Sequence, residues 1–200
     1  MRMAEMRIRI ATEADAGRLL EIYAPYVMET AITFEYEVPS REEFAARIRK
    51  VLERYPYLVA ERDGVIVGYA YASPFHSRAA YSWGVETSIY VDKSCKRAGV
   101  GGKLHEALET ILRKQGILNM NACIAYPEEE DEYLTGDSVR FHDHLGYRMI
   151  GGFKKCGYKF KRWYNMVWME KHIGEHLDNQ PDVKCFDQVR EHVKERYGIS

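Results

Sequence analysis

The chain has 200 residues, 46% hydrophobic and 30% charged, with 29 basic and 30 acidic side chains giving a formal net charge of −1. That balance excludes a wholly disordered chain, and no apolar run approaches the roughly 20 residues of a membrane helix. It gives no sign of affinity for nucleic acid or membrane, and the opening residues lack the apolar stretch of a signal peptide.

Residues 8–10 alternate and read as a first strand. Thr12 with Asp15 is a capping-box pattern before a helix marked by Ala16, Leu19, Leu20, Tyr23 and Val27. Residues 30–38 have no helical period and read as a loop. Ser40 and Glu43 cap a second helix with a stripe of Phe44, Ile48, Val51, Leu52 and Tyr55. Residues 58–61 and 65–73 form a hairpin about Asp63-Gly64, closed by Pro74.

The strand at 81–91 is the most informative. Tyr81, Trp83, Val85, Thr87, Ile89 and Val91 share one face, suited to a core. Ser82, Gly84, Glu86, Ser88 and Tyr90 share the other, polar at its centre and suited to a pocket wall. A third helix carries Val100, Leu104, Ala107, Leu108, Ile111 and Leu112 and stops near Gly116. Residues 118–125 form a strand, 128–132 an acidic loop, and 138–145 a short helix stopped by Gly146. Two closing strands follow at 147–153 and 163–169. The expected domains are residues 1–172 and a polar extension, 173–200, with one amphipathic helix carrying Val183, Phe186, Val189 and Val193. Cys95, Cys123, Cys156 and Cys185 are scattered, without a CxxC, which suits reduced thiols in a cytoplasmic protein.

Lys96-Arg97-Ala98-Gly99-Val100-Gly101-Gly102 follows a strand and opens a helix, where glycines and a helix N-terminus favour a phosphate group. It is neither a Walker loop nor a Rossmann fingerprint. The segment resembles the coenzyme A loop, Q/R-x-x-G-x-G/A, of the Gcn5-related N-acetyltransferases, with Lys96 where that family usually has Gln or Arg. Residues 80–91, Arg97-Ala98-Gly99-Val100-Gly101, Gln115-Gly116, Ser138-Val139-Arg140-Phe141-His142 and Leu145-Gly146-Tyr147 resemble its phosphinothricin N-acetyltransferase branch.

The resemblance implies a mixed α/β (α+β) fold: a mostly antiparallel sheet with a splayed central strand pair, flanked by helices. It implies acetyl-CoA as cosubstrate and no metal. Ile89, Tyr90 and Val91 would meet the pantetheine arm. Arg97, Ala98, Gly99, Val100, Gly101 and Gly102 would bind the pyrophosphate, and Ser138 would add a contact. Glu86 is the expected base for the amine, and His142 a second base or an acid toward the thiolate. Phe34, Arg78 and Tyr81 are the expected substrate contacts, with Arg78 on an acidic end. The acceptor is a small amino-acid-like amine, and the assembly a homodimer.

The pattern is broken at Glu128 to Tyr133, an acidic insertion, and at Thr135, which stands where the branch often has Asn. The acidic run reads as a solvated loop that alternatively favours a cationic acceptor: a polyamine, an antibiotic amine or a protein N-terminus. The basic, aromatic stretch 154–163 reads as a turn between strands. A coenzyme A-binding module without turnover is the alternative of another class.

Overall fold

The computed structural model describes residues 6–199. Seven strands form one sheet in the order β1-β2-β3-β4-β5-β7-β6. They are β1 (Met6–Ile10), β2 (Tyr57–Arg62), β3 (Val65–Pro74), β4 (Gly84–Val91), β5 (Asn119–Tyr126), β6 (Arg148–Lys159) and β7 (Arg162–His172). Neighbours run antiparallel except β4 and β5, which are parallel. The helices are α1 (Ala16–Glu29), α2 (Arg41–Leu52), α3 (Val100–Gln115), α4 (Asp137–His144) and α5 (Phe186–Tyr197).

Local chemistry accounts for the boundaries. Ser40 accepts from the Glu43 N–H at the start of α2. The β2–β3 turn places Asp63 and Gly64 at φ 52° and 77°, the left-handed pair that a two-residue hairpin needs. Gly116 ends α3 at φ 88°. The informative strand begins at Gly84, because Ala79–Tyr81 closes into a 3-10 turn.

The alternation of β4 divides the molecule. Val85 joins Leu104, Leu108, Met120 and Ala122 in the core beneath α3. On the opposite face, Tyr90 packs with Tyr23, Tyr26, Phe44 and Tyr69 beneath α1 and α2. The segment after His172 is part of the first core: Phe186, Val189, Val193 and Ile199 belong to it. Gln115 straps this segment down, its Nε2 donating to the Arg54 and Lys184 carbonyls at 2.9 Å each. Trp83 points to the same segment, its Nε1 donating to Pro181 O at 2.8 Å.

Candidate active site

β4 and β5 are paired only through Gly84, Val85 and Glu86, opposite Asn119, Met120 and Asn121. Beyond that rung β5 pairs with β7, and β4 keeps only β3. The fork is braced by side chains: Asn121 Nδ2 donates to Val85 O at 3.1 Å, and Thr87 Oγ1 donates to Asn121 O at 3.2 Å. The splayed edges border a cavity of about 70 Å³ whose lining includes Ser88, Ile89, Tyr90, Cys123, Ser138 and His142. Open backbone edges of this kind can bind an extended, amide-containing chain.

The far end of the fork leads to the glycine loop. Arg97 and Gly99 take left-handed backbone, at φ 61° and 77°. Helix α3 then begins without a side-chain cap and without an acidic residue in its first turn. Its N-terminal N–H groups and dipole are therefore left for an anion. Gly101 lets α4 approach: a Cβ there would lie 3.1 Å from the Phe141 ring. Gly99 and Gly102 face open space. Tyr26 fixes the end of β4 by donating to Val91 O at 2.5 Å, and Lys96 lies 5.3 Å from the centre of the same ring. This strand edge, left-handed loop and uncapped helix fit a molecule with a pantetheine-like arm and a pyrophosphate.

Glu86 is half-buried at the fork, and burial raises its carboxyl pKa, offset in part by His76. His142 is 8% exposed, and its Nδ1 lies 2.7 Å from Ser138 O. A carbonyl only accepts, so Nδ1 carries the proton and Nε2 is left with a lone pair. Burial lowers the His142 pKa, which keeps the ring neutral. Behind it, Tyr147 stacks edge-on at 5.0 Å, and its hydroxyl meets Thr87 Oγ1 at 3.3 Å and His105 Nε2 at 3.1 Å.

Of the expected site residues, Ile89, Tyr90, Ser138 and His142 share the cleft, Glu86 stands at its root and Val91 ends the strand that forms one edge. The Tyr90 ring, however, turns to the other face, 5.0 Å from Tyr23. Arg78 is exposed at the head of the 3-10 turn, away from the cleft lining. Tyr81 lines a separate cavity of about 640 Å³ with Phe75, Gly84, Asn121 and Trp168. That cavity touches the first and last rungs of the β4–β5 ladder, at Gly84, Asn119 and Asn121. Phe34 packs on the β6–β7 hairpin, where Gly157 leaves room for its ring.

A third cavity, of about 600 Å³, lies on the Glu86 face and is lined by Glu35, Arg47, Tyr57, Tyr69, Tyr71 and Tyr90 among others. Sequence reasoning passes over it. Tyr57, Tyr69 and Tyr71 look like ordinary strand formers, yet Tyr57 is the registered partner of Tyr71. That pairing was the available signal.

The acidic loop is largely neutralised. Arg162 reaches Asp131 at 2.9 Å and Glu132 at 2.8 Å, while Arg140 reaches Glu130 at 2.9 Å. The basic stretch is mostly strand, since β6 runs to Lys159 before the turn at Phe160 and Lys161. No described helix is long and apolar enough to cross a membrane.

Comparison with known proteins follows the same geometry. Residues 8–168 match the family model of the acetyltransferase (GNAT) domain. Phosphinothricin N-acetyltransferase of Streptomyces viridochromogenes is 33% identical over 166 residues, 83% of this chain and 87% of that protein. The L-methionine sulfoximine/L-methionine sulfone acetyltransferase of Salmonella typhimurium is 32% identical over 172 residues, 86% of this chain and 96% of that protein. A crystal structure of a GNAT superfamily phosphinothricin acetyltransferase from Sinorhizobium meliloti in complex with AcCoA superposes with a TM-score of 0.79. It is 30% identical and covers 90% of this chain and 98% of that chain.

Proposed function

The chain belongs to the GNAT acetyltransferase family, and from that premise we propose that it acetylates the amino group of a small amino-acid-like acceptor, of the phosphinothricin or methionine sulfoximine type. The observation that carries this reading is the placement of Glu86 on the last paired rung of a splayed strand pair whose cleft also holds His142.

Acetyl-CoA supplies an activated acyl carbon. The edge of Ile89, Tyr90 and Val91 that faces away from β3 binds the pantetheine arm. The loop from Arg97 to Gly102 binds the pyrophosphate, and Ser138 supports it from α4. Glu86 accepts the proton of the acceptor ammonium, directly or through water, and its raised pKa brings it closer to that task. His142 acts as a proton acceptor, because its Nδ1–H is committed to Ser138 O and only Nε2 is free. The backbone N–H near Val91 polarises the thioester carbonyl. The acid end of the acceptor lies on the Tyr81 side, where the cavity containing Gly84 and Asn121 meets the fork; Arg78, exposed at the head of the turn that carries Tyr81, receives it, and Phe34 shapes the opposite loop.

The enzyme works in the cytoplasm as a homodimer. Cys123, Cys156 and Cys185 are free and exposed, as suits a reducing compartment. Met149, Ile150 and Phe153 of β6 are 49%, 54% and 60% exposed, an apolar strip that a second copy would cover.

A thiol-release assay over an amino-acid panel tests the assignment. Wild type is expected to turn over amino-acid acceptors, and Glu86→Gln and His142→Ala to lose most of that rate. Full turnover in both variants refutes the roles.

A further inference from the structure

The 600 Å³ cavity on the Glu86 face has two properties that together identify what enters it. The first is its position. Its wall along β3 includes Tyr69, Tyr71, Ser73 and Pro74, and Ser73 is the registered partner of Glu86. An acceptor whose amine is held at Glu86 therefore has this cavity beside it. The second is Glu35. Its Oε1 takes the Arg47 guanidinium at 2.8 Å, but its Oε2 is buried and has no hydrogen-bond partner. Leaving a carboxylate oxygen dry and unpaired is unfavourable, and natural proteins avoid it unless water or a ligand supplies the donor.

No surrounding side chain pairs with that oxygen in hydrogen-bond geometry. Arg47 is divided between Glu35 and Glu43, the latter at 2.6 Å. Lys159 Nζ donates to Thr33 O at 2.8 Å rather than to Glu35. The Tyr23 hydroxyl shares a hydrogen bond with Thr33 Oγ1 at 2.9 Å, in which either can donate. Tyr71 lines the cavity with Glu35, and its registered partner Ser88 is the next residue after Glu86 on the same face of β4.

We infer that Glu35 is the specificity residue for the acceptor side chain: the side chain enters the tyrosine-lined cavity and donates an N–H or O–H to Glu35 Oε2. The favoured acceptors are then amino acids with an apolar stem and a distal hydrogen-bond donor, which, of the two types named above, selects methionine sulfoximine over the anionic phosphinothricin. This rests on the acetyltransferase reading above and adds the class of side chain.

L-methionine sulfoximine and L-methionine sulfone make the test. They have nearly the same shape, but the sulfoximine carries an N–H where the sulfone has a bare oxygen. Binding of each to the enzyme with coenzyme A is followed by calorimetry, and turnover by thiol release. Wild type should bind the sulfoximine about tenfold or more tighter, because a site built for a donor rejects the analogue that lacks it. Glu35→Gln should abolish or reverse that preference. Arg47 donates only, so the new amide oxygen faces Arg47 and the amide nitrogen faces the cavity. Glu35→Ala should bring the ratio near one. Arg47→Gln, which removes the ion pair but keeps the carboxylate, should preserve it and so separates recognition from loop stability. Equal binding of the two ligands by wild type, or an unchanged ratio in both Glu35 variants, overturns the inference. A Glu35-dependent binding preference without acetyl transfer to any acceptor would leave this inference standing and sink the enzymatic reading instead.

Discussion

Glu86 and Asn121 form the last rung of the β4–β5 ladder, and every function assigned to the cleft depends on the sheet opening beyond that rung. Asn121 is 8% exposed and spends its amide on Val85 O, while its carbonyl takes the Thr87 hydroxyl. Glu86 is left with its carboxyl on the pocket face, its pKa raised by burial. A base with a raised pKa loses activity as pH falls through that pKa, so the acid limb of kcat/KM should lie above the ordinary carboxylate value of 4.5. Glu86→Gln should lower kcat by about a hundredfold or more. A pH–rate profile with its acid limb at an ordinary carboxylate pKa would refute the burial argument.

His142 should contribute a second ionisation to the same limb. Its pKa is depressed from 6.5 by burial, and only the neutral ring offers Nε2 as an acceptor. Two groups that must both be deprotonated give a limb with a slope of about 2 on logarithmic axes. His142→Gln keeps a polar group near the Nε2 position but cannot titrate there. The slope should fall to about 1, with kcat reduced about tenfold or more. A slope unchanged by the substitution would remove His142 from proton transfer.

How much of this was legible in the sequence depends on whether the signal was local. The cap of α2, the Asp63-Gly64 turn and the stop of α3 at Gly116 are written in adjacent residues, and they stand as read. The length of β6 was not legible. Its register slips between Phe153 and Gly157, so alternation breaks where the strand continues. The terminal segment looked like a polar extension because its stripe is narrow. Its anchor is Gln115, a polar residue on α3 that is 0% exposed, and only the folded chain brings Arg54 and Lys184 to it. The polar face of β4 exposed Glu86 to inspection. The tyrosine cavity stayed hidden because its walls come from α1, α2, β2, β3 and β4 together.

His105 predicts a pH-dependent stability. It is 2% exposed on the inner face of α3, hydrogen-bonded to Tyr147, and burial with nearby Lys171 lowers its pKa from 6.5 to about 4. A depressed histidine binds fewer protons folded than unfolded. Its contribution is therefore fully present above pH 6.5 and is lost as pH falls toward 4. The loss should reach about 2–3 kcal/mol near pH 4.5. His105→Gln can retain a bond to Tyr147 and does not titrate. Urea unfolding at pH 7 and pH 4.5 should show the variant losing less stability than wild type by that amount. Glu109, whose pKa is lowered by Lys171 and Arg113 against the cost of burial, also loses stability on acidification, but below 4.5 and in both proteins. The same acid loss in both would refute the assignment.

Gly157 and Phe34 supply the last prediction. Gly157 is buried on β6, and a Cβ built there would collide with the Phe34 ring, which packs beside Ala31, Leu134 and Tyr164. The Gly157 backbone allows other residues, since its φ is not among the positive values of the chain. The constraint is therefore space rather than conformation. Gly157→Ala should cost about 1–3 kcal/mol, the usual range for forcing atoms into a packed site. The displaced ring carries its neighbour Glu35 with it, so the KM of the acceptor should rise while that of acetyl-CoA holds. Phe34→Ala alone should cost stability through lost packing. In the double variant the collision is gone, and the methyl occupies space that the ring vacated. The two substitutions should thus be strongly non-additive, the pair less damaging than the sum of its parts. Thermal unfolding of the four proteins measures that coupling, and simple additivity would mean that Gly157 is glycine for some reason other than the Phe34 ring.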